Sequence, residues 1–117
     1  LIGDYVTQSD WMANNKTKSA SVALLHAGVY SVPFLLLSPS QTAFLVIFFT
    51  HALIDHYRLA RFVVFAKNWI TNPSLKWGDC SATGYPKEKP AWLSVWLLIV
   101  ADNTMHLSIN YAALRWL

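Results

Sequence analysis

Residues 19–54 of the chain, SASVALLHAGVYSVPFLLLSPSQTAFLVIFFTHALI, contain no Asp, Glu, Lys or Arg. A helix needs about 20 apolar residues to cross a bilayer, and this run is long enough for one helix and the start of a second. Ser38 is predicted to cap the second helix, with Pro39 at its first position and Gln41 completing a capping box. The stretch therefore predicts an antiparallel hairpin of two membrane helices joined by a very tight turn.

The composition of the whole chain agrees with a membrane protein. Of its 117 residues, 55% are hydrophobic and 13% are charged, whereas soluble domains carry about 25% charged residues. A chain this apolar can bury enough surface to fold, so disorder is not expected. A freely soluble monomer is not expected either. The single cysteine, Cys80, excludes an internal disulfide.

Periodicity and polar breaks divide the chain into four helical segments and one loop. We predict helices at about 1–14, 19–37, 41–66 and 91–115, and a cytoplasmic loop at 67–90. The first segment is too short to span a bilayer, and the chain opens at Leu1 rather than Met, so its helix is expected to begin upstream. The predicted fold class is all-α: a polytopic membrane helical bundle with three spans plus a partial N-terminal helix, forming one domain over residues 1–117.

Lys and Arg lie near the ends of the apolar segments, which favours a role in membrane topology over a nucleic-acid surface. Lys16 and Lys18 flank one connection, and Lys67, Lys76 and other basic residues flank or fill the loop at 67–90. The turn at 38–40 carries no basic residue. The positive-inside rule therefore places both basic loops in the cytoplasm and the tight turn outside.

Each predicted helix carries a pair of polar residues spaced i, i+4, which share one helix face. The pairs are Asp4 with Gln8, His26 with Tyr30, His51 with Asp55, and Asp102 with His106. An ionisable residue inside a membrane costs about 2.5–3.5 kcal/mol on insertion scales. Counting inward from the basic or aromatic end of each helix places the pairs at similar depths. The sequence thus predicts a polar centre in the cytoplasmic half of the bundle.

Three interpretations of this centre stay open. It could be a hydrogen-bonded network that fixes helix packing, in a non-enzymatic small subunit or a membrane effector. It could be a metal site, because imidazole and carboxylate ligands suit zinc, iron or manganese. It could also be a proton or ion pathway.

We take the metal site as the leading hypothesis, with hydrolysis of a lipid or a lipid-linked phosphate as its chemistry. The expected ligands are His26, His51, Asp55, Asp102 and His106. Asp4 is expected to be a further ligand or a general base. Gln8, Tyr30 and Asn110 are expected to support the ligands from behind. His56 follows His51 by five positions, so it is expected on another face, at the membrane interface.

The chain resembles a family of small bacterial and phage-encoded integral membrane proteins that is known as a domain of unknown function. The resemblance rests on the segments GDYVTQSDWMANNK, LLHAGVY, THALIDHYRLARF, TGYP and ADNTMHLSINY, and it covers nearly the whole chain. The family's polar motif positions match Asp4, Gln8, His26, His51, Asp55, Asp102 and His106. A His that typically precedes the opening motif would fall just before Leu1.

The resemblance implies a multi-pass protein of the bacterial inner membrane and fixes no activity. Expected partners are membrane lipids, together with a homo-oligomer or a larger membrane complex, and no nucleic acid.

Overall fold

The computed structural model describes all 117 residues, and all of its regular secondary structure is helical. The elements are α1 (Ile2–Tyr5), α2 (Asp10–Asn15), α3 (Ala20–Ser31), a 3₁₀ helix (Val32–Leu37), α4 (Gln41–Tyr57), α5 (Ala60–Thr71), α6 (Trp77–Cys80) and α7 (Ala91–Trp116). The chain divides into two compact units. The first unit comprises Leu1–Arg58 with His106–Leu117, and the second comprises Leu59–Met105.

Two helical stretches, Ala20–Leu37 and Ala91–Trp116, are long and apolar enough to cross a membrane. A third crossing arises if α4 and α5 together form one broken span. The all-helical fold class is confirmed, and the apolar helices are compatible with a membrane protein.

The N-terminal segment forms two short helices rather than the single helix predicted over 1–14. Thr7 Oγ1 and Gln8 Nε2 donate to the carbonyl oxygens of Gly3 and Asp4, at 3.2 and 3.1 Å. Ser9 then caps a new helix, because its hydroxyl accepts from the Met12 backbone N–H at 3.3 Å. Side-chain hydrogen bonds to the backbone thus end one helix and start the next.

The turn between α3 and α4 is as tight as predicted, but its cap is Ser40 rather than Ser38. Ser38 has a φ of 48°, in the left-handed region, and ends the 3₁₀ helix that contains Pro33. Ser40 has the extended backbone that an N-cap needs, and its Oγ accepts from the Ala43 N–H at 3.0 Å.

Small residues line the contact between α3 and α4 in the first unit. Ala23 and Ala27 of α3 and Ala43 and Ala52 of α4 are all buried. Small side chains let two helix backbones approach closely. The imidazole rings carried by these helices consequently meet, and the ring centroids of His26 and His51 lie 4.9 Å apart.

The predicted helix at 41–66 is wrong in one respect, because α4 ends at Tyr57 and α5 begins at Ala60. Arg58 has a φ of 52°, and its N–H bonds to the Asp55 carbonyl oxygen at 3.3 Å. A left-handed residue of this kind closes a helix, although glycine usually fills the position. Asp55 therefore sits in the last turn of α4.

The segment at 67–90 is more ordered than the predicted loop. Its first residues belong to α5, and α6 lies within it. Asn68 Nδ2 donates to the Gly84 carbonyl at 3.1 Å, and Lys67 Nζ donates to Tyr85 Oη at 3.0 Å. Gly84 has a φ of 84°, and a Cβ there would lie 2.8 Å from the Phe65 nitrogen. The segment therefore folds back onto α5.

Candidate metal centre

Four polar side chains from three helices of the first unit meet at one point. α1 contributes Asp4, α3 contributes His26, and α4 contributes His51 and Asp55, one turn apart. The side chains of His26, His51 and Asp55 are 0%, 1% and 3% exposed, whereas that of Asp4 is 13% exposed. The structure thus brings four of the predicted site residues together, and the three on the long helices are the most deeply buried.

The distances between the polar atoms are short and similar. His26 Nε2 and His51 Nε2 lie 3.0 Å apart. Asp4 Oδ1 lies 3.2 Å from His26 Nε2 and 3.4 Å from His51 Nε2. Asp55 Oδ2 lies 3.1 and 3.4 Å from the same two nitrogens. We call these four atoms the donor cluster.

The donor cluster is slightly tighter than an ideal tetrahedral metal site. Metal–ligand bonds of about 2.0–2.2 Å set the ligand atoms of a tetrahedron about 3.3–3.6 Å apart. Five of the six separations in the cluster are 3.0–3.4 Å. One ligand atom from each of the four residues lies within 4.8 Å of all the others. The donor set of two imidazoles and two carboxylates suits zinc, iron or manganese.

Hydrogen bonds among its own four members satisfy the donor cluster incompletely. An ionised carboxylate oxygen only accepts, and each imidazole Nε2 carries at most one proton. At most two protons on the rings are therefore available for five close contacts. A cation at the centre would meet the lone pairs of all four atoms at once.

His106 lies behind the donor cluster and contacts the atoms of Asp55 and His51 that are not part of it. Its Nε2 is 3.1 Å from Asp55 Oδ1, and its Nδ1 is 3.1 Å from His51 Nδ1. The Asp55 carboxylate only accepts, so His106 Nε2 donates to it. When both rings are neutral, His51 Nδ1 then donates to His106 Nδ1, and His51 Nε2 presents a lone pair to the cluster. His106, predicted as a ligand, thus hydrogen-bonds two members of the donor cluster, and its role as a ligand stays a prediction.

Tyr30 and Asn110 form a second support for His51. The Tyr30 ring stacks on the His51 ring with centroids 3.6 Å apart and an interplanar angle of 9°. Asn110 Nδ2 donates to Tyr30 Oη at 2.6 Å. All three side chains are buried. Tyr30 therefore contacts a member of the donor cluster and Asn110 contacts Tyr30, while their predicted role in supporting metal ligands stays a prediction.

Lys16 brings a positive charge to the donor cluster. Its Nζ lies 2.5 Å from Asp55 Oδ2 and 3.5 Å from His26 Nε2. The backbone carbonyl of Lys16 lies 2.8 Å from His56 Nδ1, which places the partly buried His56 outside the cluster. With neutral imidazoles, the two carboxylates and one ammonium leave a net charge of −1.

The electrostatics of Asp4 follow from its neighbours. Partial burial raises the pKa of Asp4, but hydrogen bonds to His26 and His51 outweigh burial and hold the pKa well below its usual range. Asp4 is therefore ionised at neutral pH, in the form that binds metals.

Two other predicted site residues are not members of the donor cluster. Gln8 bonds to the backbone carbonyl of Asp4 at 3.1 Å, so it supports the end of α1 rather than the carboxylate. Asp102 lies on α7 one turn before His106, in the second unit, and its role as a ligand stays a prediction.

Sequence reasoning missed two residues that shape the site. Lys16 was assigned to topology alone, although two carboxylates in apolar helices call for a nearby cation. Gly3 has no side chain, and a Cβ there would lie 2.7 Å from the Tyr30 Cα. This close approach lets α1 pack on α3 and brings Asp4 to His26. No local sequence pattern marks it.

Comparisons of the chain with protein-family models, with curated proteins and with solved structures gave no match. The functional argument accordingly rests on the chemistry of the donor cluster.

Proposed function

We propose that this chain is a small membrane protein whose donor cluster binds one divalent transition metal: zinc, iron or manganese. The observation that carries the proposal is the spacing of 3.0–3.4 Å between the two imidazole nitrogens and from each of them to the Asp4 and Asp55 oxygens. Anionic and neutral donors that converge from three helices on one point are what a buried cation requires.

The chemistry that fits this centre is hydrolysis of a lipid or a lipid-linked phosphate. A metal in such a site supplies Lewis acidity and lowers the pKa of water. Catalytic zinc sites use three protein ligands and keep one position open. His26, His51 and Asp55 are the three deeply buried donors. Asp4, which is less buried, is the residue that can act instead as a general base.

The membrane topology that we propose has three spans, with the bent pair of α4 and α5 as the second. The basic residues near 16–18 and at 67–89 favour a cytoplasmic position for both connections. In that orientation the centre faces the cytoplasmic leaflet of an inner membrane, with membrane lipids as neighbours.

A structural network is the second candidate, and one observation favours it. Lys16 already supplies a cation to Asp55, and the rings of His26, His51 and His106 form a continuous chain of contacts at 3.0 and 3.1 Å. Such a network would lock the packing of α3 on α4 without any ligand.

Metal content separates the two candidates. We expect about one equivalent of a transition metal in the wild-type protein, purified without a histidine tag or nickel resin and after supplementation with zinc, iron or manganese. Asp55→Asn should lose this metal, because an amide is a poor ligand for it. Asp10→Asn, on the exposed start of α2, is the matched control and should keep it. A wild-type protein with well under one equivalent of metal would overturn the metal site and favour the structural network.

A further inference from the structure

An apolar pocket of about 460 Å³ lies beside the donor cluster in the first unit. Its walls come from α1, from the end of α3 with the 3₁₀ helix, and from α7, and they include Ile2, Gly3, Tyr30, Pro33, Leu37 and Leu107. The volume is within the range of about 300–1,000 Å³ that is typical of small-molecule sites. The pocket is therefore a built concavity, unlike the convex apolar surface of a membrane helix.

Two residues that line the pocket adjoin the donor cluster. Gly3 lines the pocket, and the next residue along the chain is the donor Asp4. Tyr30 also lines the pocket, and its ring stacks on His51. A molecule lying in the pocket consequently has one end within reach of the donor cluster.

The charge of the donor cluster indicates which chemical group of a bound molecule would lie next to it. Lys16 and a divalent cation together would exceed the charge of the two carboxylates by one, so the occupied centre is cationic. It favours an anionic group, and both metals and lysine bind phosphate oxygens.

The position of the pocket along the membrane span agrees with a molecule whose anionic group lies at the donor cluster. His26 lies in the first half of the span Ala20–Leu37, on the side of Lys16 and Lys18, whereas Pro33 and Leu37 lie at its far end. The pocket thus extends from the polar centre toward the far end of the span. The hydrocarbon chain of a membrane amphiphile runs in the same direction from its headgroup.

We propose that the pocket holds the hydrocarbon chain of a single-chain amphiphile whose phosphate headgroup reaches the metal centre. This inference rests on the proposed function and specifies the substrate class of the same site.

Photolabelling tests the inference. The probe is hexadecyl phosphate with a diazirine at the end of its chain, added to the purified metal-loaded protein in detergent. We expect the label at the pocket residues of the 3₁₀ helix and of α7, which are Pro33, Phe34, Leu36, Leu37 and Leu107. Leu37→Trp should fill the pocket and reduce labelling about tenfold. Leu35→Trp is the matched control: Leu35 is 55% exposed and does not line the pocket, whereas Leu37 is 64% exposed and does.

The same samples separate this inference from the proposed function. Hexadecanol with the same diazirine should label the pocket about tenfold less than the phosphate does. Equal labelling of the two tryptophan variants, or equal labelling by the alcohol, would overturn the inference. Metal content is measured in parallel: metal-loaded protein that is not labelled overturns this inference alone, whereas metal-free protein overturns the proposed function.

Discussion

The Nδ1 atoms of His51 and His106 lie 3.1 Å apart, which ties a residue of the donor cluster to a residue outside it. His106 in turn reaches Asp55 Oδ1 through its other ring nitrogen, at 3.1 Å. A group that hydrogen-bonds a metal ligand in this way fixes the orientation of the ligand and, for a histidine, its tautomer. His106 therefore determines how His51 presents its Nε2.

This relationship predicts a graded effect of His106→Phe. Phenylalanine keeps the ring but cannot donate to Asp55 or accept from His51. We expect the affinity for zinc to fall about 10–100-fold, the usual loss when a partner of a ligand is removed. Competition with a chromophoric chelator measures this affinity. An unchanged affinity would show that His106 does not orient the ligands.

The two histidines of α4 should differ sharply. His51→Ala removes a donor and should abolish metal binding, whereas His56→Ala should keep about one equivalent of metal, because His56 contacts only the Lys16 backbone near the cluster. Metal per protein, measured by elemental analysis, checks this. Equal metal loss in both variants would mean that the donor cluster is assigned to the wrong face of α4.

Lys16→Met should destabilise the metal-free protein more than the metal-loaded protein. Without metal, loss of the ammonium leaves the negative charges of two carboxylates poorly compensated. We expect a destabilisation of about 2–3 kcal/mol, below that of a fully buried pair, because 18% of the Lys16 side chain is exposed. With metal bound, the loss should be small. Thermal unfolding in detergent, with and without a chelator, measures both, and exposed Lys18→Met is the control. The same loss in both forms would favour the structural network.

Gly3→Ala should disturb the packing of α1 on α3. The added methyl group would overlap Tyr30, so we expect a loss of about 1–3 kcal/mol of stability and weaker metal binding, because Asp4 moves away from His26. Gly78→Ala is the matched control, since a Cβ there has nothing within 4 Å. A Gly3→Ala protein as stable and as metal-rich as the control would contradict the role of this close approach.

The orientation of the chain can be tested with introduced cysteines. Cys80 itself is a poor reporter: it is 1% exposed, and burial together with Asp79 and Glu88 raises the pKa of its thiol. In a Cys80→Ala background, Ser74→Cys should resist a membrane-impermeant thiol reagent applied to intact cells. Ser38→Cys, in the turn, should react with it. The reverse pattern would overturn the proposed orientation.

The sequence predicted much of the site because its signals are chemical. Ionisable residues at i, i+4 in apolar helices are costly, so they indicate a shared polar centre even without coordinates. This reasoning identified Asp4, His26, His51 and Asp55, which the structure brings together. It did not identify Lys16, because a lysine at the end of a helix has the same local pattern whether it faces lipid headgroups or a carboxylate.

Helix boundaries were predicted less well, for a reason that lies in single backbone angles. Arg58 ends α4 in a left-handed conformation that glycine usually adopts, and nothing in its local sequence marks it. Ser38 and Ser40 are equally good capping residues by type. The backbone angles of the folded chain, left-handed at Ser38 and extended at Ser40, show that Ser40 is the cap.

The four donors are held by different kinds of contact. α3 and α4 carry three of them, whereas Asp4 belongs to α1, whose packing on α3 depends on the close approach of Gly3 to Tyr30. If the donor cluster holds a metal as proposed, the ion leaves only when its bonds to the donors break, and separation of α1 from α3 would break the bond to Asp4. The residence time of the ion would then depend both on the packing of α1 and on the strength of the metal–donor bonds, and an exchange experiment would report on both.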